Sequence, residues 1–293
     1  MNTRKTLVGL IGANIQKSLS PALHEDAFAA AGINGHYHLM DLDLLPGRRV
    51  GELLDAARIV GFAGVNVTFP CKEAVVPLLD EVSAEARQIG AVNTVTIDPS
   101  RRTTGYNTDR IGFRQSFEET LGRVAIAERT AVLVGAGGAG RAVAFALFDL
   151  GASRVLVYDK DAQRTAALVA DLMAHYGAGR CQALEALAPA MPQAAGIVNA
   201  TPIGMLGFPG IPVPAEAIGA NHFVADVIYT PLETQLIKAA RAKGAKVLTG
   251  GGMCVYQAAE AFCLFTGRAP DIARMKRVFA EAAAARDKAL SAA

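Results

Sequence analysis

Gly135-Ala136-Gly137-Gly138-Ala139-Gly140 stands between the apolar run Thr130–Val134 and a stretch of small and apolar residues reaching Leu150. Glycines in a Gly-x-Gly-x-x-Gly pattern between a strand and a helix have separate tasks. The first permits a tight turn, the second lets the backbone approach a pyrophosphate, and the third lets helix and strand pack closely. The N–H groups at the helix start then face the phosphates. Taken alone, the pattern also describes an ordinary glycine-rich turn. The acid that should follow is Asp159, just after Arg154–Tyr158 and at about the expected spacing. A carboxylate there accepts hydrogen bonds from the adenosine ribose and repels a 2′-phosphate, which favours NAD over NADP. The alternative is that Asp159 caps a turn. Lys160 and Arg164 are near enough to soften the repulsion.

A second constellation is Asn66-Val67-Thr68-Phe69-Pro70-Cys71-Lys72. It predicts a strand end, then a Pro-led helix with Lys72 in its first turn. The helix macrodipole disfavours a cation there and favours the neutral amine, the form that accepts a proton. A nearby carboxylate would act the other way, and a solvated surface lysine is the alternative. Gly90-Ala91-Val92-Asn93-Thr94 and Gly105-Tyr106-Asn107-Thr108-Asp109 supply further polar groups. Such residues often only shape turns. Here Asn66–Lys72, Asn93 and Asn107–Asp109 all fall at strand ends of one predicted sheet, and open α/β sheets bind ligands at the carboxyl ends of their strands.

These groups need a scaffold, and the residue pattern predicts one. Thr6–Ile11, Tyr37–Asp41 and Gly64–Thr68 read as strands. Pro21–Ala31, with Ser20 as N-cap and Gly32 as C-cap, and Arg49–Val60, ended by Gly61, read as helices. Ala91–Ile97 and Arg102–Tyr106 read as a hairpin turned at Asp98-Pro99-Ser100. Arg110–Leu121 reads as a connecting helix. Beyond it come strands Thr130–Val134, Arg154–Tyr158, Gly196–Asn199, His222–Val227 and Lys246–Leu248, a short helix at Glu185–Ala188, and a helix within Pro231–Lys243. Met253–Thr266 and Asp271–Ser291 read as two Ala-rich helices that follow the second sheet and return to the first domain. Alternating strands and helices predict an α/β fold with mostly parallel sheets. The expected division is residues 1–112 for substrate binding and catalysis, 113–252 for a Rossmann-type dinucleotide-binding domain, and 253–293 for the returning helices.

Bulk composition narrows the classes. The chain has 293 residues, 52% of them hydrophobic, which suits two cored domains and argues against disorder. A net charge of +2 is too small a signal for nucleic acid or a membrane surface. No run of about 18 uncharged apolar residues predicts a membrane span. The four cysteines, Cys71, Cys181, Cys254 and Cys263, form no Cys-x-x-Cys and have no histidine at ligand spacing, so no metal site is expected. Thiols in a reducing cytoplasm are the expectation.

The order of motifs resembles the shikimate/quinate dehydrogenase family over nearly the whole chain. Ser18-Leu19-Ser20-Pro21 is similar to its N-terminal Ser-x-Ser-Pro, and Asn66-Val67-Thr68-x-Pro70-x-Lys72 to its catalytic lysine motif. Gly90–Thr94, Asn107-Thr108-Asp109, Asn199-Ala200-Thr201-Pro202-x-Gly204-Met205, Asp226-x-x-Tyr229-x-Pro231-x-x-Thr234 and Gly251-Gly252-Met253-x-x-x-Gln257 follow in the family's order. The resemblance implies that Ser18, Ser20 and Tyr229 hold a substrate carboxylate and that Thr68, Asn93 and Gln257 bind ring hydroxyls. It implies Lys72 and Asp109 as the catalytic pair, and Thr201, Met205, Ile228 and Gly250 beside the cofactor, with Gly135–Gly140 and Asp159. A polyol ring suits neutral partners of this kind.

NADP-using members usually carry Asn-Arg-Thr where this chain has Asp159-Lys160-Asp161. The NAD-linked quinate/shikimate dehydrogenases resemble this loop better. The expectation is therefore an oxidoreductase moving a hydride between a ring hydroxyl of quinate or shikimate and NAD, with NADP possible. An NADP-dependent biosynthetic shikimate dehydrogenase, an aminoshikimate-type substrate and a non-catalytic dinucleotide sensor on the same fold are the alternatives. The proton-transfer pair argues against the sensor. A small-molecule substrate, no nucleic acid, no membrane, and a monomer or homodimer complete the expectation.

Overall fold

The computed structural model describes residues 5–292. Contacts divide the chain into two compact units. One runs up to Thr108 and resumes at Val255; the other is Asp109–Cys254.

The first unit contains β1 (Thr6–Gly12), α1 (Ser20–Ala30), β2 (Gly35–Asp41), α2 (Val50–Val60), β3 (Gly64–Val67), β4 (Glu81–Val82), α3 (Ala84–Ile89), β5 (Thr94–Ile97) and β6 (Thr103–Tyr106). The sheet order is β2-β1-β3-β5-β6-β4. Only β5 runs against its neighbours, as one arm of the expected hairpin. Side chains alternate across a strand, so β1 serves two cores. Val8 and Leu10 pack with Phe28 of α1. Ile11 packs on the other face with Val65, Val67 and Leu54 of α2. Gly61 ends α2 in the left-handed region at φ 95°, where a residue without Cβ is favoured.

The second unit contains α4 (Asp109–Thr120), β7 (Thr130–Val134), α5 (Gly138–Asp149), β8 (Arg154–Tyr158), α6 (Ala162–Tyr176), β9 (Cys181–Ala183), β10 (Gly196–Asn199), β11 (Phe223–Asp226), α7 (Gln235–Ala242) and β12 (Lys246–Leu248). Its six strands are all parallel in the order β12-β11-β10-β7-β8-β9. Read from the other edge this is 3-2-1-4-5-6, the doubly wound dinucleotide-binding order. Strands buried on both faces read as apolar runs, and Val132, Leu156, Ile197 and Val224 are fully buried in one cluster.

The chain then enters α8 (Gly250–Thr266) and α9 (Ile272–Ala292). Beyond Val255 these helices belong to the first unit. Phe262 is fully buried against Val8 and Phe28. Arg274 holds Asp26 of α1 through two hydrogen bonds of 2.6 and 2.7 Å.

Several expectations need correction. No α-helix follows Pro70: the chain makes turns and then one 3-10 turn at Val76–Leu78. Ser20 is not an N-cap; that position is Leu19, and Ser20 opens the helix. The short helix expected at Glu185–Ala188 lies later, as a 3-10 segment at Ala188–Gln193. α6 and β9 occupy a stretch to which the residue pattern above assigns no element.

Candidate active site

Three strand ends of the first unit meet at one edge of its sheet. Asn66, Thr94 and Tyr106 stand in register across β3, β5 and β6. Just beyond, Val67 N donates to Asn93 O at 2.8 Å and Asn93 N to Tyr106 O at 3.0 Å. The ladder therefore carries Asn93 into the middle of this edge.

Asn93 is buried, and its amide is the hub of the cluster. Its Oδ1 accepts from Thr108 N at 2.8 Å and Thr94 Oγ1 at 3.0 Å. Its Nδ2 donates to Thr108 Oγ1 at 3.0 Å and to Gln257 Oε1 of α8 at 3.1 Å. Asn66 buttresses the hub from behind. Its Nδ2 donates to Thr94 Oγ1 at 2.9 Å, and Tyr37 Oη donates to its Oδ1 at 2.8 Å. Buried amides satisfied on both ends hold one orientation, because turning them would leave two groups unpaired.

Thr68 and Lys72 follow β3. Thr68 N donates to Ile11 O and Ala13 N to Phe69 O, both at 2.9 Å, so the segment continues alongside the end of β1. The Phe69–Pro70 peptide is cis. Lys72 O then accepts from Val92 N at 2.8 Å. Lys72 is half-buried and occupies a turn, so the helix-dipole argument for its chemistry does not apply. The loop leaving β1 brings Ser18 and Ser20. Ser18 Oγ accepts from Ser20 N and lies within a hydrogen bond of Ser20 Oγ, both at 3.2 Å. That loop is anchored by buried Asp41, which accepts from Ile15 N at 3.1 Å and Gln16 Nε2 at 3.0 Å. In the first unit the structure thus gathers Thr68, Asn93 and Gln257 around the sheet end, with Lys72 and the Ser18–Ser20 turn on the adjoining segments.

In the second unit, Asp109 is buried at the start of α4, where the helix dipole favours a carboxylate. The glycine loop leaves β7. Gly135 has φ 109°, and a Cβ at Gly140 would collide with the carbonyl oxygen of Gly135. Gly137 precedes α5 with no side-chain cap, so the first turn keeps its backbone N–H groups as donors. That cradle fits a pyrophosphate. Asp159 bridges the loop: its Oδ2 accepts from Ala136 N at 2.7 Å and its Oδ1 from Asp161 N at 2.9 Å. One bond per oxygen leaves lone pairs for ribose hydroxyls. Thr201, Met205, Ile228 and Gly250 lie on the segments after β10, after β11 and at the start of α8, and half-buried Tyr229 adjoins Ile228.

Asn66 and Thr108 belong to the polar clusters named above without a role of their own there, and Asp41 only ends a predicted strand. Each is a polar residue next to or within an apolar strand, and that was the available signal. Among the described residues no group of histidine, cysteine or acidic side chains is arranged to hold a metal, and no helix is long and apolar enough to cross a membrane.

Residues 10–95 match the shikimate dehydrogenase substrate binding domain, and residues 250–278 the shikimate 5′-dehydrogenase C-terminal domain. A shikimate dehydrogenase (NADP(+)) of Streptomyces avermitilis is 49% identical over 281 residues, covering 94% of this chain and 96% of its own. A quinate/shikimate dehydrogenase (NAD(+)) of Corynebacterium efficiens is 45% identical over 283 residues, covering 95% and 99%. The structure of quinate dehydrogenase from Corynebacterium glutamicum in complex with NAD matches with a TM-score of 0.85 at 42% identity, covering 95% of this chain and 100% of that one. Ordered motifs, two sheets of the matching topology and similarity along nearly the full length lead to one conclusion: this chain belongs to the shikimate/quinate dehydrogenase family.

Proposed function

We propose that this protein oxidises a ring hydroxyl of quinate or shikimate to the ketone, with NAD preferred over NADP as hydride acceptor. The observation that carries the reading is the Asn93 hub, where neutral donors and acceptors converge at the sheet end. Neutral groups suit ring hydroxyls, which a salt-bridging site would not. Thr68, Asn93 and Gln257 bind those hydroxyls, while Ser18, Ser20 and Tyr229 take the substrate carboxylate. When bound, the nicotinamide supplies the hydride-accepting carbon. A carbinol carbon cannot give up hydride unless its hydroxyl proton also leaves. Lys72 and Asp109 are the acid–base pair for that proton, with Lys72 as its acceptor. Gly135–Gly140 receive the pyrophosphate, and Thr201, Met205, Ile228 and Gly250 line the nicotinamide half. Cys71, Cys181, Cys254 and Cys263 are thiols, which suits the cytoplasm as the place of action.

Asp159 supports the preference for NAD, since its carboxylate is tied to the glycine loop itself. Two like charges ~4 Å apart repel by about 4 kcal/mol at an effective dielectric of ~20. Solvent and exposed Lys160 reduce this to roughly 1–3 kcal/mol, about tenfold to a hundredfold in kcat/KM. The test is steady-state kinetics with quinate and shikimate, each against NAD and NADP. A double variant, Asp159→Asn with Lys160→Arg, should shift preference toward NADP. Faster turnover of wild type with NADP than with NAD would refute the preference and favour the NADP-linked reading. No turnover of either substrate with either cofactor would refute the activity.

A further inference from the structure

Asn199 and Asp226 close the adjacent strands β10 and β11 and face each other in register. Both are buried, as is Thr234 just before α7. Burial pushes the Asp226 carboxyl up to about 6, against the opposing pull of Thr234, Ile228 and Asn199. A carboxylate in such a place is costly unless its hydrogen bonds are complete, and here the partners come from three separate segments. Thr234 Oγ1 donates to Asp226 Oδ2 at 2.8 Å. Ile228 N donates to Asp226 Oδ1 at 3.1 Å, and Asn199 Nδ2 donates to the same oxygen at 3.0 Å.

Each partner passes the constraint on. Asn199 Oδ1 accepts from Thr201 N at 3.0 Å and Thr201 Oγ1 at 2.7 Å, while its Nδ2 also reaches Ile203 O at 3.1 Å. Ile228 O accepts from Gly250 N at 3.2 Å. Thr234 Oγ1 accepts from Ile237 N at 3.2 Å and so caps α7. One carboxylate therefore fixes the turn after β10, the turn after β11 and the start of α7.

We infer that Asp226, held by Thr234 and acting through Asn199 and the Ile228 N–H, is the positioning residue that sets the cofactor-facing geometry of Thr201, Ile228 and Gly250. The inference rests on the reading above that these three line the cofactor. Asp226 itself need touch nothing bound. Its function depends on accepting at both oxygens: Ile228 N and Asn199 Nδ2 can only donate to one, and the Thr234 hydroxyl donates to the other. An asparagine of the same shape either turns its N–H against the Ile228 and Asn199 donors or presents it to Thr234 Oγ1, which then accepts and leaves its own proton without the carboxylate; either way a buried group loses its partner without emptying the space.

The test is cofactor titration of the whole protein without substrate, followed by fluorescence or calorimetry, beside steady-state kinetics and thermal melting. Asp226→Asn should raise the Kd for NAD and NADP about tenfold or more. It should raise cofactor KM in parallel and change kcat and substrate Kd less. If Asp226→Asn does not fold, Thr234→Val and Thr234→Ser decide. The valine lacks the hydroxyl and should weaken cofactor binding, while the serine keeps it and should not. Variants that melt lower yet bind cofactor as wild type does would overturn the inference and leave a purely structural network. If wild type itself binds neither NAD nor NADP, the reading of the cofactor site fails, and this inference fails with it.

Discussion

Lowering the pH should destabilise the first unit through one histidine. His24 of α1 is buried, stacks on Tyr37 with ring centroids 4.7 Å apart, and lies among Phe28, Phe262 and Phe265. Its Nδ1 has no hydrogen-bond partner among the described residues. Burial pulls its pKa from 6.5 down to about 3. In the unfolded chain it binds a proton below 6.5, and in the folded chain it does not until about 3. The unfolded state therefore holds more protons across that window. Stability is complete above 6.5 and falls as the pH drops toward 3. Between pH 7 and pH 5 the loss is about 2 kcal/mol by this linkage, or roughly 4–8 °C in Tm for a unit of this size. His24→Phe removes the titrating group. It also deletes an unsatisfied atom, worth about 1–3 kcal/mol, and adds bulk at a cost of about 1–3 kcal/mol, so its neutral-pH stability should stay near wild type. The measurement is urea or calorimetric unfolding of both proteins at the two pH values. Asp226, whose raised pKa favours the folded state as pH falls, contributes equally to both and cancels. If His24→Phe loses as much stability as wild type between pH 7 and pH 5, the argument fails.

Two further outcomes test the site. Lys72→Ala should lower kcat by roughly 10² or more with a smaller change in substrate KM, in steady-state assays; a near-normal kcat would make it a surface lysine. Ser18→Ala with Ser20→Ala should raise substrate KM while cofactor Kd stays near wild type, and losing the Ser18 Oγ bond to Ser20 N at the start of α1 should cost about 1 kcal/mol of stability. A lower Tm with unchanged KM would show the pair to be structural.

Most of the second sheet was legible because its inner strands are buried on both faces. Thr130–Val134, Arg154–Tyr158, Gly196–Asn199 and Lys246–Leu248 have the bounds that their apolar runs predict. The helix expected after Pro70 failed for a tertiary reason. Proline at the first helical position is a sound local signal. Here the segment bonds instead to the end of β1 and to Val92, through Thr68 N to Ile11 O and Val92 N to Lys72 O. Those partners are distant in sequence, so no local pattern announces them. α6 is a different case. Thr165, Leu168, Val169 and Leu172 are buried at helical spacing behind the N-cap Asp161, and the signal was present in the sequence. β9 spans three residues with only Cys181 buried, which is too little pattern to read.

The candidate site was legible as a set of residue types and much less as a set of connections. Asn66, Asn93 and Thr108 in one unit, and Asn199 and Asp226 in the other, stand at or beside strand ends. A strand end leaves backbone groups without ladder partners, and burying them unpaired would cost more than a typical hydrogen bond contributes. Side-chain amides and carboxylates supply the missing partners. Asn93 serves Thr108 N, Asn199 serves Thr201 N, and Asp226 serves Ile228 N. The same bonds hold neighbouring side chains in fixed positions beside the strand ends, the place where open α/β sheets bind ligands. Sequence shows that a polar residue interrupts an apolar run. It cannot show that Asn199 and Asp226, 27 residues apart, share a bond, because that depends on strand order. The first unit uses neutral amides at this position. The second uses a carboxylate, with Ile228 N and Asn199 Nδ2 donating to one oxygen and the Thr234 hydroxyl, which also caps α7, donating to the other.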